Sequence, residues 1–573
     1  MKKKVIQIGG NLRINGISSF IMTLYRNLQD EYQFIFINTA EGKDHYRAEI
    51  EAMGGKVYDV IVKGKGLTRA LRQAREIRSI IHKENPVAVH SHYYSNNGLY
   101  LRQAFLENVP VRISHCHQSN PNGLTFGKRI AKFLSAKMVR KYATHSFACS
   151  DTARKFLYGT AGEVFFNAVD YARFSVSCED VYAKYHFDKG KRYCLFVGRF
   201  SEQKNTDFLL SVCDIMKEND SLYFLLVGHG PQKESIEQFI AEKGLKNVSI
   251  LPPDSNIPEL LSISSAFLLP SRYEGLPITL IEAQAVGVPC IVSDAVTREV
   301  QLGLIDYLPL TPELWKSKIT ERIKAAPLFM PKKSILFDDK FQAALLDGIY
   351  SNADADEWIQ RGKEYSIGSK RFNRSKDLSF ASFKRAHLLG NIRGTFYYAL
   401  GFFEGNGTTK DREKAKELVA PIVLAVEHKA NENIAEYVVI LADMYSFGLG
   451  KEQDFKKAFT LYSKAAEFGN LEAMCDLGYM YLVGQGVGMD KEKSSYWYKT
   501  SADLGYVHSM RDVGQNYLHG YGVKENAELA AEYFRLASEN NYSHGTTDLA
   551  YCYLKGLGVH KDLAKAEELY LLA

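Results

Sequence analysis

Over 573 residues the sequence carries only eight cysteines, 15 prolines and three tryptophans. The cysteines stand apart at positions 116, 149, 178, 194, 213, 290, 475 and 552, and none form a Cys-x-x-Cys pair. That scatter excludes a disulfide scaffold and a cysteine zinc site, and it fits a reducing compartment. A run of about 18 apolar residues is also missing, so no membrane-spanning helix is expected. Three lysines and the apolar residues 5–8 imitate the start of a secretory leader. Gly9, Gly10 and Asn11 cut that run short, and a first β-strand is the better reading. Together these absences predict a cytoplasmic chain. With 46% hydrophobic and 24% charged residues, the composition is neither disordered nor fibrous, and the length suits about three or four domains.

Acidic residues are missing from one long stretch. Between 108 and 150 there is no Asp or Glu, while Arg112, Lys128, Arg129, Lys132, Lys137, Arg140 and Lys141 are cationic. Arg69, Arg72, Arg75 and Arg78 form a second basic cluster. Within residues 124–142, Phe126, Ile130, Leu134 and Met138 recur at four-residue steps, which reads as an amphipathic helix. Such a helix either lies on an anionic membrane surface or packs its apolar face on its own domain. No recognised nucleic-acid module accompanies the charge, so a nucleic-acid partner is not expected.

Short apolar runs at 5–8, 34–37, 87–90, 111–115 and 146–149 alternate with longer amphipathic stretches, the rhythm of a parallel βαβ sheet. The rhythm restarts at 193–197, 223–227, 248–251, 266–269 and 290–292. Two doubly wound α/β domains are therefore expected, 1–170 and 171–350, with ligands at the carboxyl ends of the strands. From 351 to 573 the pattern is helical and periodic. Gly-x-Gly recurs at 448, 484, 520 and 556, and Tyr445, Tyr481, Tyr517 and Tyr553 precede it. Less regular copies stand at 405–407 and around Gly368. A constant step of this kind predicts an all-α solenoid of stacked helix pairs. The sequence stops at Leu572 and Ala573, inside a repeat helix without a polar cap, as expected of a truncated array.

Two segments carry candidate chemistry. In the first, Arg199 and Lys204 follow a strand that ends at Gly198. A loop there is able to aim a guanidinium fork and an ammonium at one diphosphate, or is simply solvated. In the second, a strand runs into Glu274, Gly275, Leu276 and Pro277, and Pro277 suits the start of a helix that carries Glu282. Free N–H groups at such a helix start favour a phosphate, and flanking carboxylates accept hydrogen bonds from sugar hydroxyls.

In this order, Gly-Arg-x4-Lys-Asn followed by Glu-x7-Glu and Glu-Ala-x-Ala-x-Gly-x-Pro resembles the retaining family 4 glycosyltransferases of GT-B fold. The resemblance covers roughly 1–330, with weaker agreement at Gly228–Pro231 and at Asn167, Ala168, Val169 and Asp170, where Ala168 replaces a usual glycine. Residues 111–117 look most like the bacterial exopolysaccharide and capsule subgroup. The likeness implies that Arg199, Lys204 and Gly16 serve the donor diphosphate and that Glu282 binds the ribose. It also implies that Glu274, Gly275, Leu276 and Pro277 hold the transferred sugar and that His117 faces the reacting carbon. The implied reaction moves a hexose or N-acetylhexosamine from a nucleotide-diphosphate sugar, UDP by resemblance, to a glycan or lipid-linked acceptor. No metal or other cofactor is implied, and the amino-terminal domain offers no obvious carboxylate nucleophile for a double displacement.

His90, His92, His115 and His117 fall at strand ends in two His-x-His pairs. No carboxylate or cysteine completes a metal set, so none is expected. The carboxyl-terminal array looks like Sel-one-like repeats, which imply a protein partner. A non-catalytic scaffold and a nucleotide-sugar epimerase are the competing readings. The intact Arg199, Lys204, Glu274 and Glu282 oppose the first, and the Glu-x7-Glu spacing opposes the second.

Overall fold

The computed structural model describes every residue except 1, 10–11, 13–15, 42–44, 65, 94, 118–125, 175–178, 325–331 and 370–371. Leu124 and Cys178 lie outside the described residues. The chain divides into two units, Met1–Asn352 and Ala353–Ala573.

The first unit holds two parallel sheets. One has seven strands, β1 (Lys3–Ile8), β2 (Tyr32–Asn38), β3 (Lys56–Asp59), β4 (Ala88–Ser91), β5 (Val111–Cys116), β6 (His145–Ala148) and β7 (Glu163–Val164). Their order is β3-β2-β1-β4-β5-β6-β7. The other has β8 (Arg192–Val197), β9 (Leu222–Val227), β10 (Val248–Leu251), β11 (Ser264–Leu269), β12 (Cys290–Ser293) and β13 (Ile305–Leu308), in the order β10-β9-β8-β11-β12-β13. In each, the central strand (β1 or β8) is buried on both faces, and the order reverses beside it. That reversal opens a crevice at the carboxyl edge of the sheet. The helix Asp339–Tyr350 returns to the first sheet and packs on the helix Gly16–Leu28. Tyr350 is fully buried there against Tyr32 and Phe34.

The basic helix spans Phe126–Tyr142. Of the expected apolar stripe, Met138 packs against the helix Asn97–Leu106 while Ile130 and Leu134 face out. Ser135 and Val139 are buried, while Ile130, Phe133 and Leu134 are 46%, 68% and 51% exposed. At Gly98 a Cβ would lie 2.5 Å from Met138 Cβ and 2.6 Å from the Ser135 carbonyl oxygen, so the helix Asn97–Leu106 approaches along the face of Ser135, Met138 and Val139.

The second unit is the expected helix-pair array. Helices Ala435–Phe447, Leu471–Val483, Val507–His519 and Ser543–Lys555 each end on a left-handed glycine, at 448, 484, 520 and 556. The second glycine of each Gly-x-Gly has a separate task. A Cβ at Gly486, Gly522 or Gly558 would collide with the carbonyl oxygen of Phe455, Lys491 or Ala527, the first residue of a neighbouring helix. Those helices start under Asp454, Asp490 and Asn526 caps. The array also meets itself. Asn541 Nδ2 donates to the Ser369 carbonyl at 2.7 Å, and Gly368 lies so close to the Asn541 carbonyl that a Cβ would clash. Among the described residues of both units, no helix is long and apolar enough to cross a membrane.

Candidate functional site

Each site loop follows a strand. After β8, Gly198 donates its N–H to the Val227 carbonyl, and the 228–230 turn lies directly on this backbone. A Cβ on Gly228 or Gly230 would strike the carbonyl of Gly198 or Phe200, so only glycine allows the two turns to nest. Arg199 leaves the nest exposed. Lys204 does not: its ammonium donates to Glu274 Oε1 at 2.6 Å, and both side chains are largely buried. Gln203 and Asn205 donate to the carbonyls of Tyr273 and Pro270, stitching this loop to the one after β11.

The loop after β11 leads into the helix Ile278–Val286. Pro277 occupies its N-cap without a side-chain hydrogen bond, and its first turn contains no acid. The same holds for acid in the first turn of the helix Gly16–Leu28. A Cβ on Gly16 would meet Ile278 Cδ1 at 3.6 Å, so the two helix starts face one another across the crevice. Two positive helix ends without an acid in their first turns suit a polyanion.

Beside them, Gly275 touches the first sheet. A Cβ there would lie 2.7 Å from the His117 carbonyl oxygen. Leu276 is buried beneath this contact. Glu282, on the same helix, has its carboxyl pushed up to about 7 by burial, with Arg173 pulling the other way. The structure thus gathers Gly16, His117, Lys204, Glu274, Gly275, Leu276 and Pro277 at one crevice, with Glu282 one helical turn behind. Arg199 stands at its edge, unpaired among the described residues.

The other histidines lie deeper. His90 and His115 are fully buried and His92 nearly so, and burial lowers all three titrations well below the usual histidine range. His90, His92 and His115 each offer a ring nitrogen within 4.8 Å of the others. Sequence reasoning did not single out Gln7, Tyr350 or Arg173. Gln7 and Tyr350 join the histidines although 343 positions separate them.

Comparison with known proteins identifies the family. Residues 14–173 match the model described as Glycosyltransferase Family 4, and 179–301 match Glycosyl transferases group 1. The putative glycosyltransferase EpsF of Bacillus subtilis is 30% identical over 353 residues, covering 58% of this chain and 91% of EpsF. The chain belongs to the family 4 glycosyltransferases. This transferase is also 28% identical to the capsular polysaccharide biosynthesis glycosyltransferase CapH of Staphylococcus aureus, over 59% of its own length and 93% of CapH. The crystal structure of Anabaena HepE in complex with UDP and glucose superposes on 61% of the transferase and all of HepE. The TM-score is 0.52 at 15% identity, a likeness of GT-B fold. The array matches the Sel1 repeat at 395–419, 439–470, 471–506, 507–542 and 543–573.

Proposed function

We propose that this enzyme is a retaining transferase that moves a hexose or N-acetylhexosamine from a UDP-sugar to a glycan or lipid-linked acceptor in cell-surface polysaccharide synthesis. The observation that carries the reading is the convergence of two acid-free helix starts on a crevice that also holds Lys204, Glu274 and His117. The names of EpsF and CapH support the polysaccharide setting, and the ligands of HepE support a uridine donor.

In this reading the donor diphosphate lies between the helix starts, within reach of Arg199 and Lys204. Preorganised N–H groups and cations stabilise the charge on the leaving nucleotide, so no metal or other cofactor enters. Glu282 accepts from the ribose. Glu274, released from Lys204 as the diphosphate takes the ammonium, accepts from hydroxyls of the transferred sugar. The acceptor hydroxyl attacks the face that the diphosphate leaves, and a departing phosphate oxygen takes its proton.

Ile130, Phe133 and Leu134 project from a basic helix with no acid along its length, which suits contact with an anionic membrane carrying the acceptor. Catalysis is placed in the cytoplasm, at the inner face of that membrane. The repeats are assigned to a protein partner. Tyr479 and Tyr551 are 52% and 43% exposed at equivalent positions two repeats apart, and such aromatic side chains anchor interfaces.

The test is release of nucleotide diphosphate from a panel of UDP- and GDP-sugars by the wild type and by Glu274→Ala. Hydrolysis or transfer of one donor, lost in the variant, supports the reading. Tight donor binding without turnover, persisting when acceptors are added, would replace it with a binding scaffold.

A further inference from the structure

Four histidines, a glutamine and a tyrosine behind the crevice form one chain of hydrogen bonds, and its direction follows from a single fixed end. His115 Nε2 lies 3.2 Å from the Phe165 carbonyl oxygen. A carbonyl only accepts, so His115 carries its hydrogen on Nε2 and presents a bare Nδ1. His90 Nε2 faces that nitrogen at 3.3 Å and therefore donates, leaving His90 Nδ1 bare. The Tyr350 hydroxyl, 2.8 Å away, supplies its one hydrogen there. The Tyr350 oxygen is then an acceptor, and Gln7 Nε2 donates to it at 3.0 Å. This orients the carboxamide, whose Oε1 accepts from His92 Nε2 at 2.8 Å. His92 Nδ1 accepts in turn from His117 Nε2 at 3.0 Å. The rings stay neutral because burial in this pocket opposes a second proton on any of them.

The chain ends at His117 Nδ1, which is buried and has no hydrogen-bond partner among the described residues. The side chain of Asn167 lies beside it and favours a proton on the ring, against the larger effect of burial, while Asn167 Oδ1 is itself buried without a hydrogen-bond partner. With the His117 hydrogen held on Nε2 by the relay, both atoms are acceptors that lack a donor, and hydroxyl hydrogens from outside the protein would satisfy them.

We propose that Tyr350, Gln7, His90, His92 and His115 are positioning residues that lock His117 as the Nε2–H tautomer, so that Nδ1 accepts a hydroxyl of the transferred sugar. The role of the sugar rests on the transferase reading above, whereas the relay is a property of the free protein. His90, His92 and His115 are thereby assigned to hydrogen bonding rather than to a metal ion. Their nitrogens cannot serve both uses, since each bare nitrogen already accepts and each N–H already donates.

Nitrogen-15 NMR of the full chain, labelled only at histidine, reads the tautomers directly, with His117 identified by its loss in His117→Gln. The expected result is Nε2–H for all four buried rings. In Tyr350→Phe the His115 signals should hold, because Phe165 still anchors them, while His92 and His117 shift toward mixed tautomers. Gln7→Met cuts the chain elsewhere and serves if Tyr350→Phe fails to fold. There His90 and His115 hold, and only His92 and His117 shift. An Nδ1–H tautomer at any of the four would overturn the proposal. So would unchanged His92 and His117 signals in Gln7→Met, or a stoichiometric metal ion in the purified protein. If the tautomers follow the pattern and no sugar donor turns over, the relay stands and the transferase reading falls.

Discussion

Lys204 and Glu274, seventy positions apart, meet at 2.6 Å beside the crevice between the two sheets. The pair joins the loop after β8 to the loop after β11, so each partner holds the other in place. In the proposed function a diphosphate would compete for the ammonium and turn the carboxylate toward hydroxyls. Binding of a nucleotide and readiness for the sugar would then be coupled through one ion pair.

Removing either partner should abolish that coupling. Glu274→Ala and Lys204→Ala are each expected to lower kcat by about 10²–10³-fold, the usual loss for one preorganised electrostatic group. Steady-state donor turnover checks this. Equal losses in the single and double variants would show the two acting as a unit.

Gly275→Ala probes the contact with His117. The added methyl would sit 2.7 Å from the His117 carbonyl oxygen, which is backbone and cannot swing away. A displacement of roughly 1 Å at the site costs about 10²-fold in kcat/KM. Kinetics should show that loss while circular dichroism remains unchanged.

Glu282 gives a pH signature. Its carboxyl titrates near 7 in the folded protein instead of at its ordinary 4.5, because burial disfavours the charge. The folded state therefore binds more protons than the unfolded state between these values. Its contribution to stability is full below about 4.5 and is lost as pH rises to about 7, by up to ~3 kcal/mol. Glu282→Gln should flatten urea-unfolding stability across that window. Donor KM should also rise below about pH 7 in the wild type, as the ribose acceptor is protonated, and not in the variant.

Replacing Ile130, Phe133 and Leu134 together by serine should leave thermal stability almost unchanged, because these side chains are already exposed. Flotation with vesicles of phosphatidylglycerol should fall several-fold, with activity on a soluble acceptor retained. Equal flotation of the two proteins would remove the membrane from the proposal.

In the array, Gly522→Ala should destabilise by at least about 1–3 kcal/mol, since the position combines a left-handed φ of +68° with a collision at the Lys491 carbonyl. Denaturant unfolding followed by helical signal measures it.

Much of this architecture was legible in the sequence where the physics is local. The 36-residue step of Gly-x-Gly reports helix ends directly, because a left-handed cap and a close backbone approach both demand glycine. The apolar runs of β1, β2, β8 and β9 stand out because both faces of each strand are buried. β3 escaped notice, since Lys56, Val57 and Tyr58 are only half-buried and Asp59 is exposed. The sequence left open which side of Phe126–Tyr142 packs, because a glycine on another helix decides it. The histidine relay was out of reach for the same reason: Gln7 and Tyr350 become neighbours only when the last helix of the unit returns to the first strand.

The contact between Ser369 and Asn541 changes what an end means in the repeat array. An open stack frays from its last repeat, and the first repeat is indifferent to the loss. Here the end of the fourth Sel1 match grips the loop after the first helix of the unit, so distant parts of the array are clasped together. Loosening either side of the clasp releases both, so cooperativity in the array also runs through a contact between repeats that are not neighbours in the stack.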